Sequence, residues 1–277
     1  MKIEDYPPQE PLSEFGERYQ KTCFSLSEGI DGIELQLGRN PYQSLTVYPS
    51  PNPSGVVLGW MFGGGWTNGY KEMMGFMAPP LIAAGVTLIA ISYRLAPAYT
   101  FPANVMDIVS ALQWTSDNVG EFGGHREKFF IGGHSAGGHL SALLGTRREF
   151  LTDNGLPKRF IKGALPLSAT YDFSAGSGLS MRPRFLGQTA INNEIAASPL
   201  FHVDRESAPF MIAWGENDFA HLRQQALKFV ELLRYRGVPC QALEMGRCDH
   251  LETAYEAANT KGQWFNSALS FMNTIVA

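Results

Sequence analysis

The sequence predicts an α/β fold with a mostly parallel central sheet flanked by helices. Short apolar segments alternate along the chain with stretches of helical periodicity, the order expected when helices connect parallel strands. The segment 86–93 (VTLIAISY) is rich in β-branched residues and contains no charge, as in strands buried on both faces. A serine flanked by glycines also lies between an apolar segment and a helical one. We interpret the whole chain, 1–277, as a single domain.

Several segments have the composition of β-strands, and the segment between 55 and 62 (GVVLGWMF) is the second example of a buried one. The predicted strands are 32–37, 44–49, 55–62, 86–93, 128–133, 161–168, 209–215 and 239–245.

Helices are predicted where apolar residues recur every three or four positions. The segment 220–235 is strongly amphipathic, and 72–84 is predicted to be helical despite Pro79 and Pro80. The predicted helices are 11–23, 72–84, 103–119, 136–148, 220–235 and 253–276.

Two segments depart from this alternation. Residues 1–30 are polar and contain several prolines, which predicts a peripheral arm. Residues 174–203 are rich in Gly, Ser and Pro, which predicts an insertion over one end of the sheet. We expect the arm and the insertion to form a small cap.

Composition excludes several classes of partner. The formal net charge of −4 supplies no basic field for a nucleic acid, and no apolar run approaches the ~20 residues of a membrane span. The N-terminus lacks a signal-peptide pattern, and Cys23, Cys240 and Cys248 lack metal-site or disulfide spacing, so we expect a cytoplasmic protein. The expected partner is a small-molecule substrate, with no nucleic acid and no membrane, and a homodimer stays open.

The candidate nucleophile is Ser135, the centre of the motif G-H-S-A-G at 133–137. The motif lies between a predicted strand and a predicted helix, where a nucleophile elbow presents its serine on a strained turn. Gly133 and Gly137 fit such a turn, because a Cβ at either position would clash. The adjacent His134 and the later His139 are interpreted as structural, since a base must approach Ser135 from the other side.

The serine needs a base, and the base needs a group that orients it. In enzymes with a nucleophile elbow these three residues follow along the chain in the order Ser, Asp or Glu, His. Asp218 follows the strand 209–215, and His250 follows the strand 239–245. Both positions are at strand ends on the side where Ser135 projects. Glu216 competes for the orienting role, and Asp249 is too close in sequence to His250 to orient it.

Each of these residues also has an ordinary structural interpretation. Ser135 could cap a helix in a glycine-rich turn, Asp218 could cap the helix 220–235, and His250 could be a surface histidine. Three such residues in the right order at the right strand ends favour a catalytic triad.

The segment 62–66 (FGGGW) is the candidate oxyanion loop. An acyl-transfer enzyme needs amide donors from the residue after the nucleophile and from a loop after an early strand. The sequence therefore assigns the amides of Gly63, Gly64 and Ala136 to the oxyanion, with Phe62 and Trp66 as binding residues beside them. A phosphate-binding loop is disfavoured because neither glycine cluster completes a nucleotide motif, and no cofactor or metal is expected.

With these residues placed, the chain resembles α/β-hydrolases of the H-G-G-x-W group, which includes kynurenine formamidases (arylformamidases) and related carboxylesterases. The resemblance covers nearly the whole chain. It rests on FGGGW, GGHSAGGHLSALL, WGENDFAHLRQQALKF and DHLE, and on a segment shared with hormone-sensitive-lipase-like esterases, ISYRLAPAYTFPANVMDIVSALQW.

The resemblance implies that Ser135, Asp218 and His250 form the triad of a cofactor-free enzyme. One position departs from the family pattern, because Phe62 replaces a histidine that braces the loop through hydrogen bonds. We expect Phe62 to brace the loop by packing, against Trp66.

The sequence therefore predicts a serine hydrolase that cleaves a small aromatic or apolar ester or aryl amide through an acyl-enzyme. Phe62, Trp66, Trp214 and Phe219 suggest the apolar substrate. A carboxylesterase of broad specificity and a catalytically inactive binding protein of this fold are the alternatives.

Overall fold

The computed structural model describes residues 2–187 and 190–277, with no description of the side chains at 190–192. Residues 188 and 189 of the predicted insertion therefore lie outside the described residues. The strands form one eight-stranded sheet, in the order β1-β2-β4-β3-β5-β6-β7-β8. They are β1 Ile33–Gln36, β2 Ser44–Tyr48, β3 Gly55–Met61, β4 Thr87–Ile91, β5 Gly124–His134, β6 Ile161–Leu167, β7 Phe210–Gly215 and β8 Cys240–Met245.

The sheet is mostly parallel, as the alternating pattern predicts. Only β2 runs antiparallel to its neighbours, β1 and β4, and the other pairings are parallel. This is the sheet of an α/β-hydrolase fold, and the predicted fold class is confirmed. Parallel strands place their carboxyl ends on one side, so residues that follow β3, β5, β7 and β8 can meet there.

Helices cover both faces of the sheet. They are α1 Glu14–Ser27, α2 Ala78–Ala83, α3 Ala103–Asn118, α4 Ala136–Thr146, α5 Glu149–Thr152, α6 Arg182–Leu186, α7 Ala190–Ala197, α8 Ala220–Tyr235, α9 His250–Glu256 and α10 Gln263–Val276. Short 3₁₀ segments occur at Ile3–Asp5, Lys71–Met77, Val119–Phe122 and Pro199–His202. Among the helices of the described segments, none is both long and apolar enough to cross a bilayer.

Two predicted helices differ in the structure. The segment 72–84 is a 3₁₀ helix up to Met77 and becomes α-helical only from Ala78, with its prolines in the first turn. Prolines are tolerated there because first-turn amides have no partner within the helix. The predicted helix 253–276 divides into α9 and α10. The carboxylate of Asp249 caps α9, and the chain then turns until α10 begins after Gly262.

The core lies on both faces of the central strands. All residues of β4 are buried, and so are those of β3 apart from Gly55. Large side chains such as Trp60, Phe129, Phe130 and Trp264 are at most 1 % exposed. A closely packed sheet of this kind fixes the positions of its strand ends, and with them the loops that carry the polar residues described next.

Candidate active site

The turn at Ser135 has the geometry of a nucleophile elbow. Ser135 joins β5 to α4 with φ 54° and ψ −115°, a conformation that is strained for a residue with a side chain. A Cβ on Gly133 would lie 2.5 Å from the carbonyl carbon of Gly137, and a Cβ on Gly137 would lie 2.4 Å from the Met61 oxygen. The predicted steric need for both glycines is confirmed.

The structure brings Ser135, His250 and Asp218 into one hydrogen-bonded chain. The Ser135 hydroxyl lies 2.9 Å from Nε2 of His250, and Nδ1 of His250 lies 2.8 Å from Oδ1 of Asp218. Because the carboxylate only accepts, Nδ1 carries the hydrogen and Nε2 is free to accept the serine proton. The arrangement is able to abstract a proton from Ser135 and to stabilise the imidazolium that results.

The two competing carboxylates lie elsewhere. Glu216 is exposed and accepts a hydrogen bond from the Arg247 amide at 2.7 Å. Asp249 caps α9 by accepting from the amides of Leu251 and Glu252, both at 2.8 Å. The two nitrogens of the His250 ring are hydrogen-bonded to Asp218 and Ser135, and to neither of these carboxylates.

Asp218 is held as a carboxylate although its side chain is fully buried. Burial acts to raise the pKa of Asp218, but the hydrogen bond and the charge of His250 outweigh it and bring the pKa below the ordinary 3.8. The Ser168 hydroxyl and the Phe219 amide act in the same direction. Asp218 therefore carries a negative charge beside His250 throughout the neutral range.

His134 and His139 occupy structural positions, as the sequence indicated. Burial, and then the neighbouring His250, lower the pKa of His134 to about 3, and burial lowers that of His139 to about 4. Both rings are neutral and fully hydrogen-bonded. His139 accepts from the indole of Trp66 at 3.1 Å and donates to the Ala197 carbonyl at 2.7 Å.

The glycine loop lies beside Ser135, but its glycines have different surroundings. Gly64 and Gly65 line the cavity above Ser135, whereas Gly63 does not. The amide of Gly63 lies near the Tyr19 hydroxyl. In the described part of the chain, the amides of Gly64, Gly65 and Ala136 donate to no protein group. The geometry therefore favours Gly65 over Gly63 as the second loop donor.

The prediction that Phe62 packs against Trp66 and binds substrate is wrong. The Phe62 ring is fully buried and stacks on Tyr93, with centroids 4.5 Å apart and an angle of 12° between the planes. The Tyr93 hydroxyl also donates to the Phe62 carbonyl at 2.9 Å. Phe62 does brace the loop by packing, but it does so from the core side and does not line the cavity. Trp214 likewise is buried away from the cavity.

Trp66 does line the cavity. The backbone of Trp66 has a positive φ of 63°. The indole ring packs against His139, Phe173 and Phe185. The hydrogen bond to His139 fixes the ring in the cavity wall, so Trp66 presents an apolar face next to the glycine loop.

A cavity of about 550 Å³ opens above Ser135. Both segments of the predicted cap contribute to it: the N-terminal arm through Leu12, Phe15 and Tyr19, and the insertion through Leu179 and Met181. The apolar walls and the size suit a small ligand. Its full lining is 11–13, 15, 16, 19, 64–68, 134, 135, 170, 178–181, 184, 219, 221, 222, 250 and 251.

Sequence reasoning missed several residues of this site. Tyr19 contacts His134, and Thr253 donates to the His250 carbonyl at 2.8 Å and lies 2.9 Å from the Ser168 hydroxyl. Their positions depend on tertiary packing, and the one available signal was the helical spacing of apolar residues in the arm.

No group of three or more His, Cys, Asp or Glu side chains within 2–187 and 190–277 is arranged to hold a metal ion.

The fold of this chain is shared with solved esterase structures, and its sequence matches a family model. Solved structures with the same fold include an arylesterase (TM-score 0.73, 21 % identity, covering 97 % of this chain and 99 % of that one) and a carbohydrate esterase from gut microbiota (TM-score 0.75, 15 % identity, covering 90 % and 98 %). At these identities the similarity shows the α/β-hydrolase fold alone. The BD-FAE family model matches residues 47–233, so the chain belongs to that family.

Curated relatives share sequence over most of this chain. Esterase LipC of Mycobacterium tuberculosis is 32 % identical over 216 residues, covering 71 % of this chain and 53 % of LipC. A kynurenine formamidase of Danio rerio is 25 % identical over 227 residues, covering 79 % and 74 %. The chain thus spans about half the length of the mycobacterial esterases it matches.

Proposed function

We propose that this protein is a serine hydrolase that cleaves small carboxylic esters through an acyl-enzyme. One observation carries the proposal: the unbroken hydrogen-bonded chain from Ser135 through His250 to Asp218, open to a cavity. The similarity to curated esterases supports the same reaction class.

In the proposed reaction, Oγ of Ser135 attacks the substrate carbonyl carbon while Nε2 of His250 takes the hydroxyl proton. The oxyanion is bound by the amides of Gly64, Gly65 and Ala136. Ala136 is the first residue of α4, so the helix dipole also favours negative charge at this position. His250 then gives its proton to the leaving oxygen or nitrogen. Water, deprotonated by His250, attacks the acyl-enzyme and frees Ser135.

The proposed substrate carries a small aromatic or apolar group. Leu12, Phe15, Trp66, Met181 and Phe219 face the cavity, and its volume of about 550 Å³ is in the range of sites that bind small molecules. Burial of an apolar group against these side chains would supply the binding energy.

An aryl amide is the second candidate, since two kynurenine formamidases of fish are 25 % and 27 % identical to this chain. The same catalytic residues can cleave either bond. The ratio of kcat/KM for 4-nitrophenyl acetate to that for N-formylkynurenine separates the two reactions, and a broad series of esters separates a specific enzyme from a general carboxylesterase.

The proposal is tested with the ester and formamide series on the wild type and on Ser135→Ala. We expect hydrolysis of short esters by the wild type and a loss in kcat of about 10⁶-fold, or to the detection limit, in the variant. Enzymatic turnover that persists in Ser135→Ala would overturn the mechanism, and a wild type inactive on the whole series would favour a binding protein.

A further inference from the structure

One face of helix α1 packs on the start of α9, which carries His250. Phe15, Arg18 and Tyr19 lie on that face, at the spacing of three and four residues that aligns helical side chains. The Phe15 ring lies 6.2 Å from the His250 ring, and Arg18 lies 3.8 Å from the carboxylate of Asp249, which caps α9. The N-terminal arm is therefore in direct contact with the base.

Tyr19 reaches His250 through a buried pair of hydrogen bonds. Nε2 of His134 lies 2.8 Å from the carbonyl oxygen of His250, and Nδ1 of His134 lies 3.2 Å from the Tyr19 hydroxyl. A carbonyl only accepts, so Nε2 must carry the hydrogen, and the neutral ring leaves Nδ1 as an acceptor. Tyr19 is therefore the donor, and its hydrogen bond stabilises the same tautomer of His134 that holds the His250 carbonyl.

We propose that Tyr19 and His134 are positioning residues, which hold the backbone of His250 so that its ring stays aligned between Ser135 and Asp218. This inference rests on the proposed function. It gives the N-terminal helix a role in catalysis, although Tyr19 forms no hydrogen bond with the triad in the described structure. The Gly63 amide also lies near the Tyr19 hydroxyl, so Tyr19 is close both to the residue that holds the base and to the glycine loop.

The surroundings of His134 keep its ring uncharged. Burial and then His250 lower the pKa of His134 to about 3, so it stays neutral beside a ring 4.7 Å away that is positively charged during the reaction. The other ionisable groups near His250 are Asp218 and His221, with the Arg18–Asp249 pair outside them.

Tyr19→Phe is the direct test, because it removes the hydroxyl and keeps the ring. Without its donor, Nδ1 of His134 is a buried acceptor with no partner, so the ring can shift and loosen its hold on the His250 carbonyl. We expect kcat for an ester to fall about 10-fold per active site, with KM within about 2-fold. The acidic limb of kcat/KM should move to lower pH, because a displaced His250 loses part of the Asp218 contact that stabilises its protonated form.

Tyr171→Phe is the matched control. Tyr171 is also fully buried, and its hydroxyl has no hydrogen-bond partner in the described structure. We expect kcat and the pH profile of this variant to match the wild type. Active sites are counted with a fluorophosphonate that labels the nucleophile, so misfolded molecules do not lower the measured kcat.

A second pair of variants separates positioning from packing. The side-chain nitrogen of glutamine can occupy the place of Nε2, so His134→Gln should retain more of kcat than His134→Leu, which offers no donor. Equal kcat values in these two variants, or a Tyr19→Phe enzyme with unchanged kcat and pH profile, would overturn the inference and leave the proposed function intact. A wild type without esterase or formamidase activity would overturn both.

Discussion

At the scale of single residues, the buried charge of Asp218 is the feature that makes His250 a base. In Asp218→Asn the amide accepts less strongly and can donate to Nδ1, which would put the hydrogen on Nε2 and block proton transfer from Ser135. We expect kcat to fall about 10⁴-fold with KM little changed, measured with a chromogenic ester.

Glu216→Gln is the control for this substitution, because Glu216 is exposed and its carboxylate accepts a hydrogen bond from the Arg247 amide. We expect its kcat to stay within about 2-fold of the wild type. A large loss in Glu216→Gln together with a small one in Asp218→Asn would assign the orienting role to the other carboxylate.

The sequence predicted which residues meet at this site because their positions follow from chain order and strand ends. Ser135 directly follows β5, and Asp218 and His250 lie in the segments that follow β7 and β8; the carboxyl ends of these parallel strands lie on one side of the sheet. The direction of the Phe62 ring could not be predicted in the same way. It depends on Tyr93, a residue that follows a neighbouring strand and offers a flat buried partner for the ring.

At the scale of elements, the elbow between β5 and α4 depends on close backbone contact. A methyl group on Gly137 would lie 2.4 Å from one backbone oxygen and 2.6 Å from another, so the helix would have to move away from β3. We expect Gly137→Ala to lose at least about 1–3 kcal/mol of unfolding free energy and most activity. Urea denaturation and the yield of labelled active sites measure these two effects.

Gly120→Ala is the matched control, since a Cβ on Gly120 meets no atom within 4 Å and its φ is not positive. We expect stability within about 0.5 kcal/mol of the wild type. A Gly137→Ala enzyme as stable and active as this control would contradict the elbow geometry.

Helix boundaries show where local sequence pattern is insufficient. The periodicity of the last 25 residues is compatible with one helix, but the cap at Asp249 starts α9 early and the turn before Gly262 ends it. The early start matters for function, because it makes His250 the first residue of a helix. Caps depend on which side chain reaches which amide, and a periodic pattern does not contain that information.

At the scale of the whole molecule, the buried neutral histidines make stability depend on pH. Burial lowers the pKa of His139 from 6.5 to about 4. Between these values the unfolded chain binds a proton that the folded protein does not, so acidification favours unfolding. We expect the free energy of unfolding to fall between pH 6.5 and 4, by up to about 1.4 kcal/mol per pH unit for one such group.

His139→Gln isolates this contribution, because glutamine can still donate to the Ala197 carbonyl but does not titrate. Urea denaturation at pH 7, 6, 5 and 4 should show a shallower decline in the variant, and equal declines in both proteins would exclude a neutral His139 in the native state.

The fold as a whole was predictable because alternating strands and helices leave few arrangements other than a parallel sheet covered on both faces. The arm was harder to predict, since its polar composition suggested a peripheral segment. In the structure, Tyr19 and Cys23 of α1 are buried, and Gln9 forms hydrogen bonds with Tyr42 and Gly69. Because a few residues are enough to pack the arm against the domain, the overall composition of the arm stays polar and does not indicate that packing.

Covalent labelling tests most directly whether Ser135 is an activated nucleophile. The wild type is treated with a fluorophosphonate at pH 7.5 and the modified peptide is identified by mass spectrometry. A catalytic triad at Ser135 predicts stoichiometric modification of this residue within minutes, much slower labelling in His250→Ala, and none in Ser135→Ala. An unmodified Ser135 in folded wild-type protein, or equal labelling rates with and without His250, would contradict it.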